Sequence, residues 1–197
     1  MTNIRPTRIL GRWREGFALD QHTVSSTYLG DDEYGHPRYD TKRSEIGELL
    51  YRLKYGSDNS VSEEIVSAAA GFMAQWKPGV DLLVPVPPTR SDRAQQPVMV
   101  LAAALSAKLG IPLAVQSLTR VKQPPEAKDV FDLNEKLRLL ADAYAVDPNQ
   151  TRGHRILLFD DVYQSGATMN TAASTLYDGG GVAEVYALAI TRTRSKS

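Results

Sequence analysis

Residues 156 to 170 read ILLFDDVYQSGATMN, and no other stretch constrains the fold as tightly. Ile156 to Phe159 is an unbroken apolar run, the pattern of a strand covered on both faces in a parallel sheet rather than one with a wet face. The run stops at two adjacent carboxylates, Asp160 and Asp161. Ser165, Gly166, Ala167 and Thr168 then supply small residues, and a helical pattern follows. Strand, acidic end, small-residue bend and helix in that order predict one βα unit of an open α/β sheet. Such sheets bind ligands beyond the carboxyl ends of their strands.

The remaining chain predicts what surrounds this unit. Residues 13 to 43 are rich in Tyr, Thr, Gly and Asp with turn signals at 30–33 and 34–37, and read as one or two antiparallel hairpins. From Ser44, Ile46, Leu49, Leu50 and Leu53 recur at helical spacing until Gly56. A second helix is expected from Ser60, where Ser60 and Glu63 have capping-box spacing and Ile65, Ala69, Phe72, Met73 and Trp76 form the buried stripe. Beyond Gly79, strand and helix patterns alternate. Strands are expected at 81–86, 112–118, 144–146, 156–160 and 183–190. Helices are expected at 98–109, opened by Pro97 and closed by Gly110, at 134–141, and from the small-residue bend to about 177. The expected fold is therefore α/β, an open, mostly parallel sheet flanked by helices. Residues 1–60 would form a small hairpin and helix extension, and 61–197 the core.

Length and composition exclude several classes. At 197 residues and 21.7 kDa, one well-filled α/β domain and an appendage account for the chain. There is no cysteine, hence no disulfide, thiolate zinc site or cysteine nucleophile. No apolar run approaches the roughly 18 residues that span a membrane, so no membrane association is expected. MTNIRPTRIL lacks the apolar core of a signal peptide, and a cytoplasmic location is the expectation. Lys+Arg and Asp+Glu number 23 each, which removes any global attraction to duplex DNA. Neither a P-loop nor a G-x-G-x-x-G fingerprint occurs, and Gly179 to Gly181 read as a helix stop. His22, His36 and His154 show no ligand spacing.

Two carboxylates side by side at a buried strand end repel each other unless something neutralises them, and carboxylates accept hydrogen bonds from hydroxyls. The bend at Gln164, Ser165, Gly166, Ala167 and Thr168 lets backbone N–H groups converge at a helix N-terminus, where a phosphate is accepted. Together these halves describe a pocket for a ribose 5-phosphate, with the diol on Asp160 and Asp161 and the phosphate on the bend. A second candidate is VPVPPTRSDR, residues 84–93, at another strand end. Pro87 and Pro88 stiffen the exit, while Thr89, Arg90 and Arg93 carry donors and charge to the same edge. A third is the polar segment 120–138, whose Lys122, Lys128, Lys136 and Arg138 are candidates for a lid closing over a polyanion. A surface loop is the alternative reading there.

ILLFDDVYQSGAT resembles the phosphoribosyl-diphosphate (PRPP) binding signature of type I phosphoribosyltransferases. The wider layout is similar to the ComF-like branch: LLYRLKYG ahead of the core, LLVPVPPTR at its first strand, a middle segment ending in AYAV, then the PRPP motif, over about residues 44 to 193. The resemblance implies that Asp160 and Asp161 take the ribose hydroxyls and serve catalysis, that Ser165 to Thr168 with Gln164 hold the 5-phosphate, and that Pro87, Pro88, Thr89 and Arg90 take the pyrophosphate. Mg²⁺ is implied as cofactor, held mainly through PRPP and water. Three departures stand out. Gln164 replaces a threonine common in the family loop, RAQQPV replaces the family's Arg-Gly-Phe-Asn-Gln segment, and the four-cysteine zinc module of many relatives is absent.

The implied activity is transfer of the phosphoribosyl group to a nitrogen nucleophile, a base or amine, with release of pyrophosphate. Residues 13–43 would be the hood over the acceptor, with Tyr28, Tyr34 or Tyr39 stacking on a base or, alternatively, packing among themselves. Two other readings stay open: a PRPP-binding sensor without turnover, and a ComF-like accessory of DNA uptake or recombination acting near single-stranded DNA. A homodimer is a further expectation from related enzymes.

Overall fold

A computed structural model of the chain describes residues 2–56, 58–88, 96–122, 140 and 142–193. In chain order the strands are β1 (Thr7–Arg8), β2 (Glu15–Gln21), β3 (Thr23–Asp31), β4 (Pro37–Arg43), β5 (Leu82–Pro85), β6 (Leu118–Arg120), β7 (Tyr144–Val146), β8 (Arg155–Tyr163) and β9 (Glu184–Arg192). The longer helices are α1 (Glu45–Tyr55), α2 (Ser62–Trp76), α3 (Pro97–Leu109) and α4 (Ala167–Asp178). A single helical turn, Pro148–Thr151, precedes β8.

The central sheet has five strands in the order β1-β2-β9-β8-β5, parallel throughout except for the antiparallel edge strand β1. Side chains of β8 alternate between two cores, as a period of two demands. Ile156 and Leu158 pack with α4, Val185 and Ala187 on one face; Leu157 and Phe159 pack with α1, α2, α3 and Leu188 on the other. All four β8 residues are fully buried, and each such side chain contributes roughly 1.5–3 kcal/mol of burial free energy. This is the α/β architecture expected, and it explains why Ile156 to Phe159 carries no polar residue.

Several elements differ from expectation. β2 lies inside the central sheet, parallel to β9, and α1 packs in the core; only β3 and β4 form a ribbon apart from it. The part of 1–60 that stands clear of the core sheet is thus the hairpin Thr23–Arg43. The stretch 112–118 contributes one parallel bridge, Leu113 to Leu83, because Pro112 has no N–H to continue the ladder and Ser117 turns the chain back onto the Ala114 carbonyl. Leu118 then opens β6. β6 and β7 pair antiparallel as a separate ribbon, so 144–146 does not join the parallel sheet. At α2 the Ser60–Glu63 capping box does not form. Ser60 donates instead to Asp58, a 3-10 turn intervenes, and the helix starts at Ser62. The expected helix at 134–141 lies outside the described residues but for Leu140. Among the described residues no helix is long and apolar enough to cross a membrane.

Candidate active site

β5 and β8 are neighbours, so the segments leaving their carboxyl ends emerge side by side, ahead of α3 and α4. Between them lies a cavity of about 540 Å³, within the size range of sites for small ligands. Its walls bring together Pro87 and Pro88 after β5, Gln96 to Val98 at the start of α3, the β8 end from Asp160 to Gln164, and Ser165, Gly166, Thr168 and Met169. Lys54 and Tyr55 from α1 complete it.

β8 does not stop at the acidic pair but runs on to Tyr163, with Asp160 opposite Ala189 and Val162 opposite Thr191. The two acids therefore sit on opposite faces of one strand. Asp161 meets α1, its Oδ2 3.4 Å from Lys54 Nζ. Asp160 lies toward the β6–β7 side, where its charge helps push up the Tyr144 hydroxyl, which burial in the main holds at about 12. The Asp161 amide donates to Asp160 Oδ1 at 2.8 Å. Burial, and then the neighbouring Asp161 charge, hold the Asp160 carboxyl well above the usual carboxylate range. The doublet thus divides into one acid paired with an ammonium and one that retains its proton to higher pH.

The bend into α4 turns on Gly166. Its φ of +79° suits glycine, and a Cβ there would collide with the Tyr163 hydroxyl. That hydroxyl donates to the Leu10 carbonyl at 3.2 Å. As the N-cap of α4, Gly166 offers no side chain to the first-turn N–H groups; the Ala167 amide reaches Ser165 Oγ at 3.5 Å, and the bend lies at the positive end of the helix dipole. Asn170 steadies the bend by donating Nδ2 to the Gly166 carbonyl at 2.9 Å, and it accepts from the Arg12 amide at 2.8 Å. Gln164 and Ser165 are exposed, Thr168 is half-buried, and Ala167 is buried in the core behind the cavity.

Eight of the residues singled out in the sequence line this one cavity: Pro87, Pro88, Asp160, Asp161, Gln164, Ser165, Gly166 and Thr168. Ala167 does not. Lys122 is away from it, in an exposed pair with Asp142 at 3.7 Å. Thr89, Arg90, Lys128, Lys136 and Arg138 lie outside the described residues. Among the described residues no group of three or more His, Cys, Asp or Glu could hold a metal ion.

Lys54 is the residue that sequence reasoning missed. The signal was present in LLYRLKYG: Lys54 follows Leu50 by four positions, so it flanks the buried stripe of α1 and reaches inward with it. Behind it, half-buried His22 bonds Thr191 Oγ1 through Nδ1 at 3.2 Å, and its imidazole is held below its ordinary value by burial and by Arg43 and Lys54.

No family model matches the chain, and no curated protein does. Solved structures similar to it include adenine phosphoribosyltransferase from Trypanosoma brucei in complex with AMP, pyrophosphate and ribose-5-phosphate (13% identity, 95% of this chain and 74% of that one, TM-score 0.49). Adenine phosphoribosyltransferase from Thermoanaerobacter pseudethanolicus is similar at 13% identity over 85% of this chain and 95% of that one, with a TM-score of 0.44. A purine phosphoribosyltransferase from Pyrococcus horikoshii is similar at 16% identity over 67% and 82%, with a TM-score of 0.41.

Proposed function

We propose that the cavity binds PRPP and that the protein is a phosphoribosyltransferase of the ComF-like type, transferring the phosphoribosyl group to a nitrogen acceptor with release of pyrophosphate. One observation carries this reading: the acidic doublet and the Gly166 bend, which the sequence resemblance assigns to opposite ends of one sugar phosphate, line a single cavity. The 5-phosphate sits on the N–H groups of the bend and the Thr168 hydroxyl. Asp161, beside Lys54, takes one ribose hydroxyl, and Asp160, on the opposite face of the strand, takes the other. The pyrophosphate lies toward Pro87 and Pro88, with Thr89 and Arg90 following in the chain.

Transfer breaks the bond from C1 to the pyrophosphate oxygen, which leaves with the electron pair, and forms a bond from C1 to the acceptor nitrogen, whose proton passes to the departing pyrophosphate or to water. Positive charge develops on the sugar ring, and Asp161, fixed by Lys54, places negative charge below it. Asp160 and Asp161 lie on opposite faces of β8 and, among the described residues, no cluster could cage a metal by itself, which fits a divalent cation that would be held largely by substrate phosphates and water. Bound with PRPP, Mg²⁺ supplies charge neutralisation of the leaving pyrophosphate.

Calorimetry with PRPP and Mg²⁺ tests the binding, and pyrophosphate release across a panel of bases and amines tests the transfer. Asp161→Asn is expected to weaken PRPP binding about 10- to 100-fold, the value of a charge-assisted hydrogen bond, and Asp160→Asn less, since an amide also donates. Unchanged binding in Asp161→Asn overturns the site. Binding without release for any acceptor converts the reading to a PRPP sensor.

A further inference from the structure

The Gly166 bend is tied to a part of the chain remote from it in sequence, residues 9–14, which join β1 to β2. Two separate contacts make the tie. Tyr163, at the end of β8, donates its hydroxyl to the Leu10 carbonyl at 3.2 Å and sets its ring edge-on to Trp13, centroids 6.4 Å apart. Asn170, the fourth residue of α4, spans the gap from the other side. Its Nδ2 donates to the Gly166 carbonyl at 2.9 Å, and its Oδ1 accepts from the Arg12 amide at 2.8 Å. With the oxygen taken by Arg12, the side-chain amide can present only its NH2 to Gly166. Asn170 does not line the cavity itself.

The Gly166 carbonyl and the Ala167 N–H belong to one planar trans peptide and so point opposite ways. That carbonyl accepts from both the backbone N–H of Asn170, at 2.8 Å, and its side chain. Holding the carbonyl therefore aims the Ala167 N–H. This N–H is the first donor of α4, and within the chain it reaches Ser165 Oγ only at 3.5 Å.

Residues 9–14 are a firm support because they are built around one indole. Trp13 is buried and donates Nε1 to the Ile9 carbonyl at 3.1 Å. Gly11 and Gly16 lie so close to its ring that a Cβ at either would overlap it. The Arg14 amide donates to the Val185 carbonyl at 2.8 Å, and the Arg12 guanidinium grips both Asp178 oxygens at the far end of α4. The segment is thus anchored to β9 and to both ends of α4.

We propose that residues 9–14 brace the bend, with Asn170 and Tyr163 as positioning residues that preset the Ala167 N–H for a phosphate, and that phosphate binding registers in turn at Trp13. The inference rests on the sugar-phosphate reading above. A donor fixed in advance lowers the ordering cost of binding. Linkage makes the effect reciprocal: a support that favours the occupied bend is itself favoured by occupancy.

The test is calorimetric titration of ribose 5-phosphate into the full chain and its variants. Asn170→Ala removes the bridge, and Gly11→Ala displaces the Trp13 ring from outside the cavity. Each is expected to weaken binding about 3- to 10-fold, the range of one neutral hydrogen bond. Thr175→Ala deletes a comparable bond further along α4, to the Thr171 carbonyl at 3.0 Å, and should bind as the parent does. Trp76→Phe leaves Trp13 as the one tryptophan of the chain, and its emission should change as ribose 5-phosphate saturates. Parental affinity in both Asn170→Ala and Gly11→Ala overturns the brace. So does an equal loss in Thr175→Ala, which would mark a general weakening of α4, or Trp13 emission that stays constant to saturation. A parent that does not bind ribose 5-phosphate overturns the sugar-phosphate reading itself, so the two failures are told apart.

Discussion

Lys54 and Asp161 are 107 residues apart in the chain, yet their charged atoms meet at 3.4 Å, with 22% and 16% of the side chains exposed. The contact joins α1 to the working end of β8 and supplies the cation that two adjacent carboxylates at a buried strand end require. Removing one partner of a largely buried pair leaves the other charge uncompensated.

A double-mutant cycle tests this coupling. Lys54→Met and Asp161→Asn are each expected to destabilise the fold, and the double variant to be about 1–2 kcal/mol more stable than the sum of the single losses implies. Urea unfolding of the four proteins measures it, and additive losses would show that the pair carries no coupling energy.

Asp160 makes stability fall with rising pH. Its carboxyl is raised by burial and by Asp161, so the folded state keeps a proton that the unfolded chain releases near pH 4, at about 3.9. Between that value and the raised one, the native state binds more protons, and unfolding becomes easier as pH increases. Asp160→Asn has no such proton. Its stability relative to the parent should grow as pH rises from about 4 toward neutrality. Parallel stability curves for the two proteins over that range would contradict this account.

Gly166→Ala should strike stability and phosphate binding together. A left-handed φ costs an L-residue about 1–2 kcal/mol, and the new Cβ meets the Tyr163 hydroxyl, whose ring packs edge-on against Trp13 at 6.4 Å. The thermal midpoint is expected to drop, and calorimetric affinity for ribose 5-phosphate to fall with it. A variant with parental values in both would remove the geometric role given to this glycine.

Lys122→Ala should do little. Lys122 and Asp142 are 62% and 86% exposed, and ion pairs so open to water contribute about 0–1 kcal/mol. PRPP titrations of this variant are expected to match the parent; a large affinity loss would place Lys122 over the bound ligand.

What could be read from the chain alone follows the range of each signal. The apolar run Ile156 to Phe159, the stripe of α1 and the Pro97 and Gly110 limits of α3 are local patterns, and each appears where expected. Partnership is not local. β2 carries the turn-rich look of its neighbours but pairs with β9, and 144–146, which looks like a sheet strand, pairs with Leu118–Arg120 because those segments, not the sheet edge, face it. Tyr55 borders the cavity while Tyr28 and Tyr39 pair on the hairpin, because which tyrosine reaches a cavity depends on how its helix packs and not on the local sequence.

The class of architecture was legible in the chain alone, because strand burial, helix periodicity and the conformational freedom of Gly166 are properties of short stretches. Only the tertiary structure decided that Lys54 neutralises Asp161, that the two acids occupy opposite faces of β8, and that Tyr55 rather than Tyr28 or Tyr39 borders the cavity. Those are contacts between residues far apart in the chain, set by how α1 packs across the sheet, and no local pattern encodes such a distance.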